Sequence, residues 1–271
     1  MYTLKDKVIA ITGASSGIGL ALAAEALNRG AKIAVCARNL EKLVASLPQN
    51  SNNENTLAVA ADVSKEADCN NFIQNAIAKW GRVDVLINNA GISMRAMFED
   101  LDITVLRELM DINFWGTVYT TKAAVTSIRE NKGVIVGVSS IAGFRGLPAR
   151  TGYSASKFAM QGFLEGLRTE LLHTGAHVMW VSPGFTASNI RNVARSADGS
   201  QQGETPLDEG KLMSAERCAQ IILHGVEKRK RTIIMTLQGK LTVLINKLLP
   251  GLADKLVFNH FLMEPNSPLK K

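Results

Sequence analysis

The chain has 271 residues, of which 46% are hydrophobic and 20% charged, and its formal net charge is +7 at pH 7. This composition excludes a disordered chain and allows one sizeable hydrophobic core. No apolar run reaches the roughly 18–20 residues of a membrane-spanning helix, and the first residues lack the apolar stretch of a signal peptide. The three cysteines and four histidines form no disulfide or metal pattern, so we expect no metal site and a cytoplasmic location.

Short apolar runs rich in β-branched residues alternate along the chain with segments of helical periodicity. The predicted strands are Val8–Thr12, Lys32–Ala37, Thr56–Ala61, Val83–Asn88, Gly133–Ser139, His177–Ser182 and Thr232–Thr236. The predicted helices are Ile18–Asn28, Leu40–Leu47, Glu66–Lys79, Thr104–Glu130, Tyr153–Leu172 and Ala215–Lys228. Strands separated by helices need crossover connections, which favour a parallel sheet with helices on both faces. The sequence therefore predicts a single doubly wound α/β domain.

A glycine-rich turn follows the first predicted strand and opens the first helix, with the sequence Thr12-Gly13-Ala14-Ser15-Ser16-Gly17-Ile18-Gly19. Gly13 permits a sharp exit from the strand, Gly17 lets backbone approach a ligand, and Gly19 lets the helix pack closely. The start of a helix offers free N–H groups and a positive dipole end to phosphate. The turn predicts a binding site for the phosphates of a dinucleotide.

The residue after the second predicted strand indicates which dinucleotide is bound. Arg38 follows Ala37, and no acidic residue lies between Lys32 and Asn39. An acid at this point bonds the ribose hydroxyls of NAD, whereas an arginine can neutralise the 2′-phosphate of NADP. We therefore expect NADP(H), with an ordinary exposed arginine as the alternative interpretation.

Tyr153 and Lys157 lie four residues apart at the start of a predicted helix. Positions i and i+4 share one face of a helix, so the ammonium lies near the phenol. A nearby positive charge favours phenolate, and we expect it to lower the pKa of Tyr153. A tyrosine of this kind can exchange protons near neutral pH.

Further motifs accompany these features in a fixed order: Asp62-Val63, Asn88-Asn89-Ala90-Gly91, Asn113, Ser139-Ser140 and Pro183-Gly184. Together with the glycine turn and the Tyr153/Lys157 pair, their order and spacing resemble the short-chain dehydrogenases/reductases. The resemblance covers roughly Lys5 to Thr236. It implies a Rossmann-type, seven-stranded parallel sheet in the order 3-2-1-4-5-6-7 and an NADP-preferring oxidoreductase.

The resemblance also implies which residues bind the cofactor. They are Gly13, Ser15, Ser16, Gly17, Ile18 and Gly19 in the turn, then Arg38, Asp62, Val63, Asn89, Ala90, Gly91, Tyr153, Lys157, Pro183, Gly184, Thr186 and Ser188. Asp62 would contact the adenine, although it could equally cap a turn. The hydroxyls of Thr186 and Ser188 are alternative contacts near the nicotinamide and the phosphates.

The same resemblance assigns catalysis to Asn113, Ser140, Tyr153 and Lys157. Ser140 lies thirteen residues before Tyr153, and Ser139 is the competing serine. Ser140 and Tyr153 would hold a carbonyl oxygen, Tyr153 would deliver the proton, and Asn113 would anchor a water that serves Lys157. An asparagine at this position can kink the predicted helix Thr104–Glu130 and expose its backbone carbonyl to that water. The expected function is an NADPH-dependent carbonyl reductase. A hydroxysteroid- or 3-oxoacyl-type enzyme and a non-catalytic NADP sensor are the alternatives.

Three segments are expected to select a small carbonyl or alcohol substrate: Ser93–Glu99, Phe144–Gly152 and a lid at about Ser188–Lys211. The apolar candidates for its wall are Met94, Met97, Phe98, Phe144, Leu147 and Phe185. No charged residue stands out as a substrate clamp, so an apolar or amphipathic ketone or aldehyde is expected. Nothing in the sequence indicates a nucleic-acid partner.

The C-terminal segment, Leu237–Lys271, extends beyond the resemblance. Two amphipathic stripes are separated by Pro250: Leu241, Leu244, Ile245, Leu248 and Leu249, then Leu252, Leu256, Val257 and Phe261. We expect these helices to pack on the core, on the lid or across a subunit contact, and docking on a membrane surface is the second interpretation. The long helices Thr104–Glu130 and Tyr153–Leu172 are expected to pair in a homodimer or homotetramer, as the resemblance implies.

Overall fold

The computed structural model describes residues 2–186, 190–203 and 212–270. Over these residues, seven strands form one parallel sheet in the order β3-β2-β1-β4-β5-β6-β7. The strands are β1 (Val8–Thr12), β2 (Lys32–Ala37), β3 (Thr56–Ala60), β4 (Val85–Asn88), β5 (Val134–Val138), β6 (His177–Ser182) and β7 (Thr232–Ile234). The predicted fold class and strand order are confirmed.

The helices lie on both faces of the sheet. They are α1 (Gly17–Asn28), α2 (Leu40–Ala45), α3 (Glu66–Trp80), α4 (Ile103–Leu109), α5 (Gly116–Glu130), α6 (Thr151–Glu170), α7 (Ala215–Glu227), α8 (Leu237–Leu248) and α9 (Pro250–Leu262). Leu22 and Leu223 belong to the apolar core on one face, and Phe72 and Leu164 to the core on the other. Because β1 is buried along its whole length, its uninterrupted apolar sequence is typical of a central parallel strand.

The predicted helix Thr104–Glu130 is interrupted by a π-helical turn at Met110–Trp115. Asn113 lies inside this turn and is fully buried. Its side-chain amide accepts a bond from the Ile92 amide at 2.8 Å and donates to the Ile92 carbonyl at 3.0 Å. These bonds tie the turn to the segment after β4. The regular helix is therefore interrupted at Asn113 by a π turn, and π turns of this kind are frequent at functional sites.

The last strand is shorter than predicted because its final residues serve the next helix. β7 ends at Ile234, and Thr236 becomes the N-cap residue of α8. The Thr236 hydroxyl accepts a hydrogen bond from the amide of Gly239 at 3.0 Å, which satisfies one of the free N–H groups at the helix start. The tail thus begins directly from the edge of the sheet.

The C-terminal helices pack on the core beside the short turn Ile141–Gly143 that follows β5. A Cβ atom at Gly239 would lie 2.6 Å from the Ile141 side chain, so α8 approaches this turn closely. Asn246 donates to the carbonyl of Phe144 and accepts from Arg145. These contacts show that α8 packs on the core, which was the first interpretation of the tail.

No helix within the described residues is long and apolar enough to cross a lipid bilayer.

Candidate functional site

A cleft of about 410 Å³ opens at the carboxyl ends of the strands. It lies where the strand order changes direction between β1 and β4, the usual ligand position in open α/β sheets. Its lining contains most of the predicted cofactor residues: Gly13, Ser15, Ser16, Gly17, Ile18, Arg38, Asp62, Val63, Asn89, Ala90, Gly91, Tyr153, Lys157, Pro183, Gly184 and Thr186. Ser188 lies outside the described residues. The fold therefore brings together segments that are far apart in the chain.

The glycine turn is held rigidly against β4. Gly13 has a φ of +67°, and a Cβ atom there would lie 2.8 Å from the Ala90 Cα. The Asn89 side chain donates to the carbonyls of Thr12 and Gly13 at 2.9 and 3.1 Å, and the Thr12 hydroxyl accepts from the Asn89 and Ala90 amides at 3.0 Å. Gly13 is required here because any side chain would break this contact.

The start of α1 faces the cleft with its first amides available to a ligand. Its N-cap residue, Ser16, makes no side-chain bond to the helix, whereas Asn39, Ser214 and Thr236 cap α2, α7 and α8 in this way. Free N–H groups at a helix start favour phosphate. The turn therefore fits the phosphates of a dinucleotide, as predicted.

Two of the predicted cofactor residues have a structural task. Gly19 does not belong to the cleft lining, and a Cβ atom there would lie 2.3 Å from the Gly13 carbonyl oxygen and 2.5 Å from the Asn89 amide nitrogen. Gly19 therefore packs α1 against the turn, and its contact with the cofactor stays a prediction. Asn89 lines the cleft, but its amide group is engaged in holding the turn.

The far end of the cleft is lined by Arg38, Lys42, Asp62 and Val63. Arg38 is exposed at the end of β2, and Lys42 follows one helical turn later. One oxygen of Asp62 accepts bonds from the Ser64 amide and hydroxyl at 3.1 and 2.8 Å. Asp62 therefore caps this turn, as its alternative interpretation expected. Arg38 and Lys42 give this end of the cleft a positive charge.

Tyr153 and Ser140 meet at the other end of the cleft. Ser140 follows β5, Tyr153 lies in the first turn of α6, and both line the cleft, close enough for the Ser140 side chain to act on the pKa of Tyr153. Ser139, the competing serine, is buried and accepts a bond from the Gln161 side chain at 2.8 Å. Its hydroxyl is therefore held in the protein interior, and Ser140 is the serine that pairs with the tyrosine.

Burial dominates the ionisation of Tyr153 and Lys157. It raises the pKa of Tyr153, and the Ser140 side chain and the charges of Arg150 and Arg191 oppose this rise. Burial also lowers the pKa of Lys157 to about 8. The expectation that Lys157 lowers the pKa of Tyr153 is therefore corrected: loss of solvent outweighs the neighbouring charges.

Lys157 lies above the tyrosine ring and is oriented by the backbone of β5. Its Nζ atom is 5.7 Å from the centroid of the Tyr153 ring and donates to the Val138 carbonyl at 2.9 Å. Asn113 approaches it from the other side. A Cβ atom on Gly91 would lie 3.0 Å from the Asn113 oxygen and 3.4 Å from the lysine nitrogen.

The predicted water relay depends on the backbone carbonyl of Asn113. This carbonyl accepts a bond from the Thr117 hydroxyl at 2.9 Å. The Asn113 side chain also donates to the Ser156 hydroxyl at 2.9 Å, which joins it to α6. The structure brings Asn113 next to Lys157, and the relay through a bound water stays a prediction.

The segment after β6 shapes the end of the cleft beside Tyr153. A Cβ atom on Gly184 would lie 2.7 Å from the Thr236 side chain, so only glycine fits under the start of the tail. Thr186 is buried, and its hydroxyl donates to the Gly184 carbonyl at 3.3 Å. Both residues line the cleft, as predicted.

The apolar wall is only partly the one expected. Leu147 and Phe185 line the cleft, whereas Met94 is fully buried in the core and Phe98 is 61% exposed. Met97 and Phe144 are also absent from the lining. The described part of the predicted lid contributes Ile190, Arg191, Val193, Arg195 and Gln201.

Charged residues in the wall contradict the expectation that no charge stands out. Arg150, Arg191, Arg195 and Glu264 line the cleft. Arg195 pairs with Glu108 at 2.5 Å, so its charge is balanced. Arg150 and Arg191 both act on the ionisation of Tyr153, so both charges lie near this end of the cleft.

Two lining residues, Phe261 and Glu264, come from the C-terminal tail and were not predicted as site residues. Glu264 pairs with Arg150 at 2.9 Å and with Arg95 at 3.5 Å. The Arg150 guanidinium lies 4.5 Å from the centroid of the Phe261 ring. Nothing in the helical periodicity of the tail could have located an ion pair between residues so far apart in sequence.

The site can bind a dinucleotide at the helix start and place two hydroxyl groups on a substrate oxygen at its other end. These features define a class of protein, the oxidoreductases that move a hydride between a nicotinamide cofactor and a carbonyl or alcohol carbon. Within this class, the chain belongs to the short-chain dehydrogenase/reductase family. The family model described as short chain dehydrogenase matches residues 7–199.

Comparisons with known proteins agree with this assignment. The chain is 38% identical to 11-beta-hydroxysteroid dehydrogenase 1A from Arabidopsis thaliana, over 93% of this chain and 74% of that protein. It is 35% identical to dehydrogenase/reductase SDR family member 7B from Mus musculus, over 97% and 84%. A short chain dehydrogenase from Burkholderia cenocepacia in complex with NADP has the same fold, with a TM-score of 0.79, 23% identity, and coverage of 94% of this chain and 98% of that one.

The two serines allow a matched test of the site. Ser140→Ala is expected to lower kcat about 10²–10³-fold, because it removes one of two donors to the developing oxyanion. Ser139→Ala is expected to leave kcat within a few-fold and to lower the melting temperature, because it leaves the Gln161 donor unpaired. Steady-state kinetics and thermal unfolding of both variants check this. Equal kcat losses would contradict the assignment.

Proposed function

We propose that this protein is an NADPH-dependent reductase of ketones or aldehydes. The presence of Ser140 and Tyr153 together at one end of the dinucleotide cleft is the observation that carries the proposal. Because burial raises the pKa of Tyr153, its hydroxyl is protonated at neutral pH. A protonated phenol is the form that can give a proton to a carbonyl oxygen, as the proposed reduction requires.

In the proposed mechanism, Ser140 and Tyr153 both donate hydrogen bonds to the substrate carbonyl oxygen. The nicotinamide supplies the hydride when it is bound. As negative charge builds on the oxygen, the two donors stabilise it, and Tyr153 transfers its proton. Lys157 fixes the tyrosine ring and binds the nicotinamide ribose. Asn113 holds the π turn that supports Lys157, in a position to anchor a relay water.

Arg38 and Lys42 support NADPH as the cofactor, since they place two positive charges at the adenosine end of the cleft. An arginine can bind a 2′-phosphate through two parallel N–H bonds, which a ribose hydroxyl cannot accept in the same way. The single acid at this end, Asp62, holds the Ser64 turn.

Arg38→Ala is expected to raise the Kd for NADPH about tenfold or more and to leave the Kd for NADH nearly unchanged. A hydrogen bond to a charged group contributes about 1.5–3 kcal/mol, and this one exists only with the 2′-phosphate. Fluorescence titration with both cofactors measures the effect. Lys32→Ala removes the same charge at the opposite end of β2 and is the control. Equal weakening of NADPH and NADH binding in the Arg38 variant would refute the proposed role.

The substrate side favours an amphipathic carbonyl compound. Leu147, Phe185 and Phe261 provide an apolar wall, and the Arg150–Glu264 pair provides a polar group. A panel of aromatic, steroidal and short polar ketones, assayed by NADPH oxidation, tests the proposal. The first two groups are expected to give the higher kcat/KM. Turnover confined to small polar ketones would contradict this choice of substrate class.

A hydroxysteroid-type dehydrogenase is the second candidate function. Several relatives carry the name 11-beta-hydroxysteroid dehydrogenase, including the one that is 38% identical. Oxidation of hydroxysteroids with NADP⁺, compared with reduction of the matching ketosteroids, distinguishes the two directions. A 3-oxoacyl substrate is a further alternative, which the same assay tests with a 3-oxoacyl thioester.

We also propose that the chain forms a homodimer or homotetramer through α5 and α6 with the π turn before α5. Trp115 and Phe158 are large apolar residues exposed on these elements, at 42% and 44%. Sedimentation of the wild type and of a Phe158→Asp variant tests this, and a monomeric wild type would contradict it.

A further inference from the structure

The outer face of α8 is formed by leucines. Leu237, Leu241, Leu244 and Leu248 follow the spacing i, i+4, i+7 and i+11, which places them on one side of the helix. Their exposed fractions lie between 49% and 74%. A surface helix normally turns such a stripe toward the core. In α8 the side toward the protein instead carries the small residue Gly239, which contacts Ile141.

The exposed apolar surface continues into α9. Leu249, at the junction of the two helices, and Leu252 and Leu256, on α9, are 46–56% exposed. The buried residues of α9 are Ala253 and Phe261. We call the exposed set the leucine face: Leu237, Leu241, Leu244, Leu248, Leu249, Leu252 and Leu256. Contiguous exposed apolar surface of this kind marks an interaction site.

The charges around the leucine face favour an anionic partner. Lys240, Lys247 and Lys255 are exposed on the same two helices. Asp254 is the only acid of α8 and α9, and it is paired with Arg145. Residues 226–271 carry nine Lys or Arg and three acids, a net +6 of the total of +7. Two copies joined through this face would therefore bring two strongly positive segments together.

We propose that the leucine face docks this protein onto the surface of an anionic lipid bilayer, with α8 and α9 lying in the interface. Leucines on one side and lysines beside them are the features of helices that bind in this plane. Each lysine near such a surface adds to the binding through its attraction to acidic lipids. Because α9 also lines the cleft with Phe261, lipid contact and the active site share one helix.

Flotation of the full chain with vesicles tests the proposal. The wild type is expected to float with phosphatidylcholine vesicles that contain phosphatidylglycerol, and to float at least tenfold less with phosphatidylcholine alone or at high salt. Two double variants are each expected to bind the anionic vesicles at least tenfold less than the wild type. They are Leu244→Ser/Leu248→Ser and Lys240→Glu/Lys247→Glu. Leu172→Ser, which changes a 65% exposed leucine after α6, is the matched control. NADPH binding by every variant verifies that it is folded.

Three results would overturn the proposal. A wild type that stays with the unbound fraction excludes a lipid partner. Equal flotation of the Leu244→Ser/Leu248→Ser variant and the Leu172→Ser control shows that the leucine face does not mediate binding. The wild type could fail to bind vesicles while its oligomer dissociates in sedimentation when Leu244 and Leu248 are changed. This result would assign the leucine face to a second copy of the chain. None of these results depends on which carbonyl substrate is reduced.

Discussion

Tyr153→Phe is expected to lower reductase turnover about 10²–10⁴-fold, the usual contribution of a positioned acid or base. Its affinity for NADPH is expected to stay within a few-fold of the wild type. The variant loses one hydroxyl and keeps the ring, which lies beside the Lys157 ammonium. The dinucleotide turn is formed by other residues. The loss should therefore fall on kcat, while the Kd for NADPH is nearly constant.

The size of this effect follows from the environment of the hydroxyl. The phenol lies at one end of the cleft, and burial raises its pKa and so keeps it protonated. The other donor, Ser140, can still hold the substrate oxygen, which explains why a residual rate is expected.

Tyr119→Phe is the matched control, because Tyr119 stacks on Trp115 and lies outside the cleft lining. It removes a tyrosine hydroxyl without touching the site, and wild-type kinetics are expected. Single-turnover measurement of NADPH oxidation separates the chemical step from cofactor release. Undiminished turnover in Tyr153→Phe would end the assignment of this residue as proton donor. A wild type that binds NADPH and reduces none of the panel would favour a cofactor sensor.

The fold could be predicted from the sequence because short segments, the apolar strands and the glycine turn, each indicate their own structure. β1, β2 and β6 have the predicted bounds, since central parallel strands are short runs of buried apolar residues. The glycine turn was recognisable because its backbone geometry requires glycine at Gly13. The bend in the predicted helix Thr104–Glu130 was expected from Asn113, although its form as a π turn depends on bonds to Ile92.

Ser140, Tyr153 and Lys157 line one cleft and their catalytic roles stay predictions, whereas the ionisation expected for Tyr153 was wrong. Sequence spacing showed that Tyr153 and Lys157 share a helix face, and from this a lowered tyrosine pKa was expected. The pKa of Tyr153 is instead raised by burial. Burial depends on all the elements that surround the phenol, including Arg150 and the segment after β6. No i, i+4 rule contains that information.

The polar part of the substrate wall was also beyond sequence reasoning. Arg150 and Glu264 are separated by 114 residues, and neither belongs to a motif. Their pairing depends on the path of the C-terminal helices back to the cleft. The apolar stripes of the tail predicted that it would pack on something, and the structure shows that its last part reaches the active site.

Glu264→Gln is expected to lower the free energy of unfolding by about 3–5 kcal/mol, the usual effect of removing one member of a buried ion pair. Glu264 is only 5% exposed and is the counter-charge of both Arg150 and Arg95. Glutamine has nearly the same shape, so the loss reflects two buried guanidinium groups left without a negative partner. Because Arg150 lies beside Tyr153 and under Phe261, KM for an apolar ketone is expected to rise as well.

Asp254→Asn is the control for this prediction, since it also removes a carboxylate that ties the tail to the core. Asp254 pairs with Arg145, but its side chain is 66% exposed, and exposed pairs contribute about 0–1 kcal/mol. Urea denaturation of both variants gives the comparison. The midpoint of unfolding should fall well below that of the wild type for Glu264→Gln and stay close to it for Asp254→Asn. If the two variants lost the same small amount of stability, solvent would have to reach the Arg150–Glu264 pair. The tail could then no longer be regarded as a closed wall of the active site.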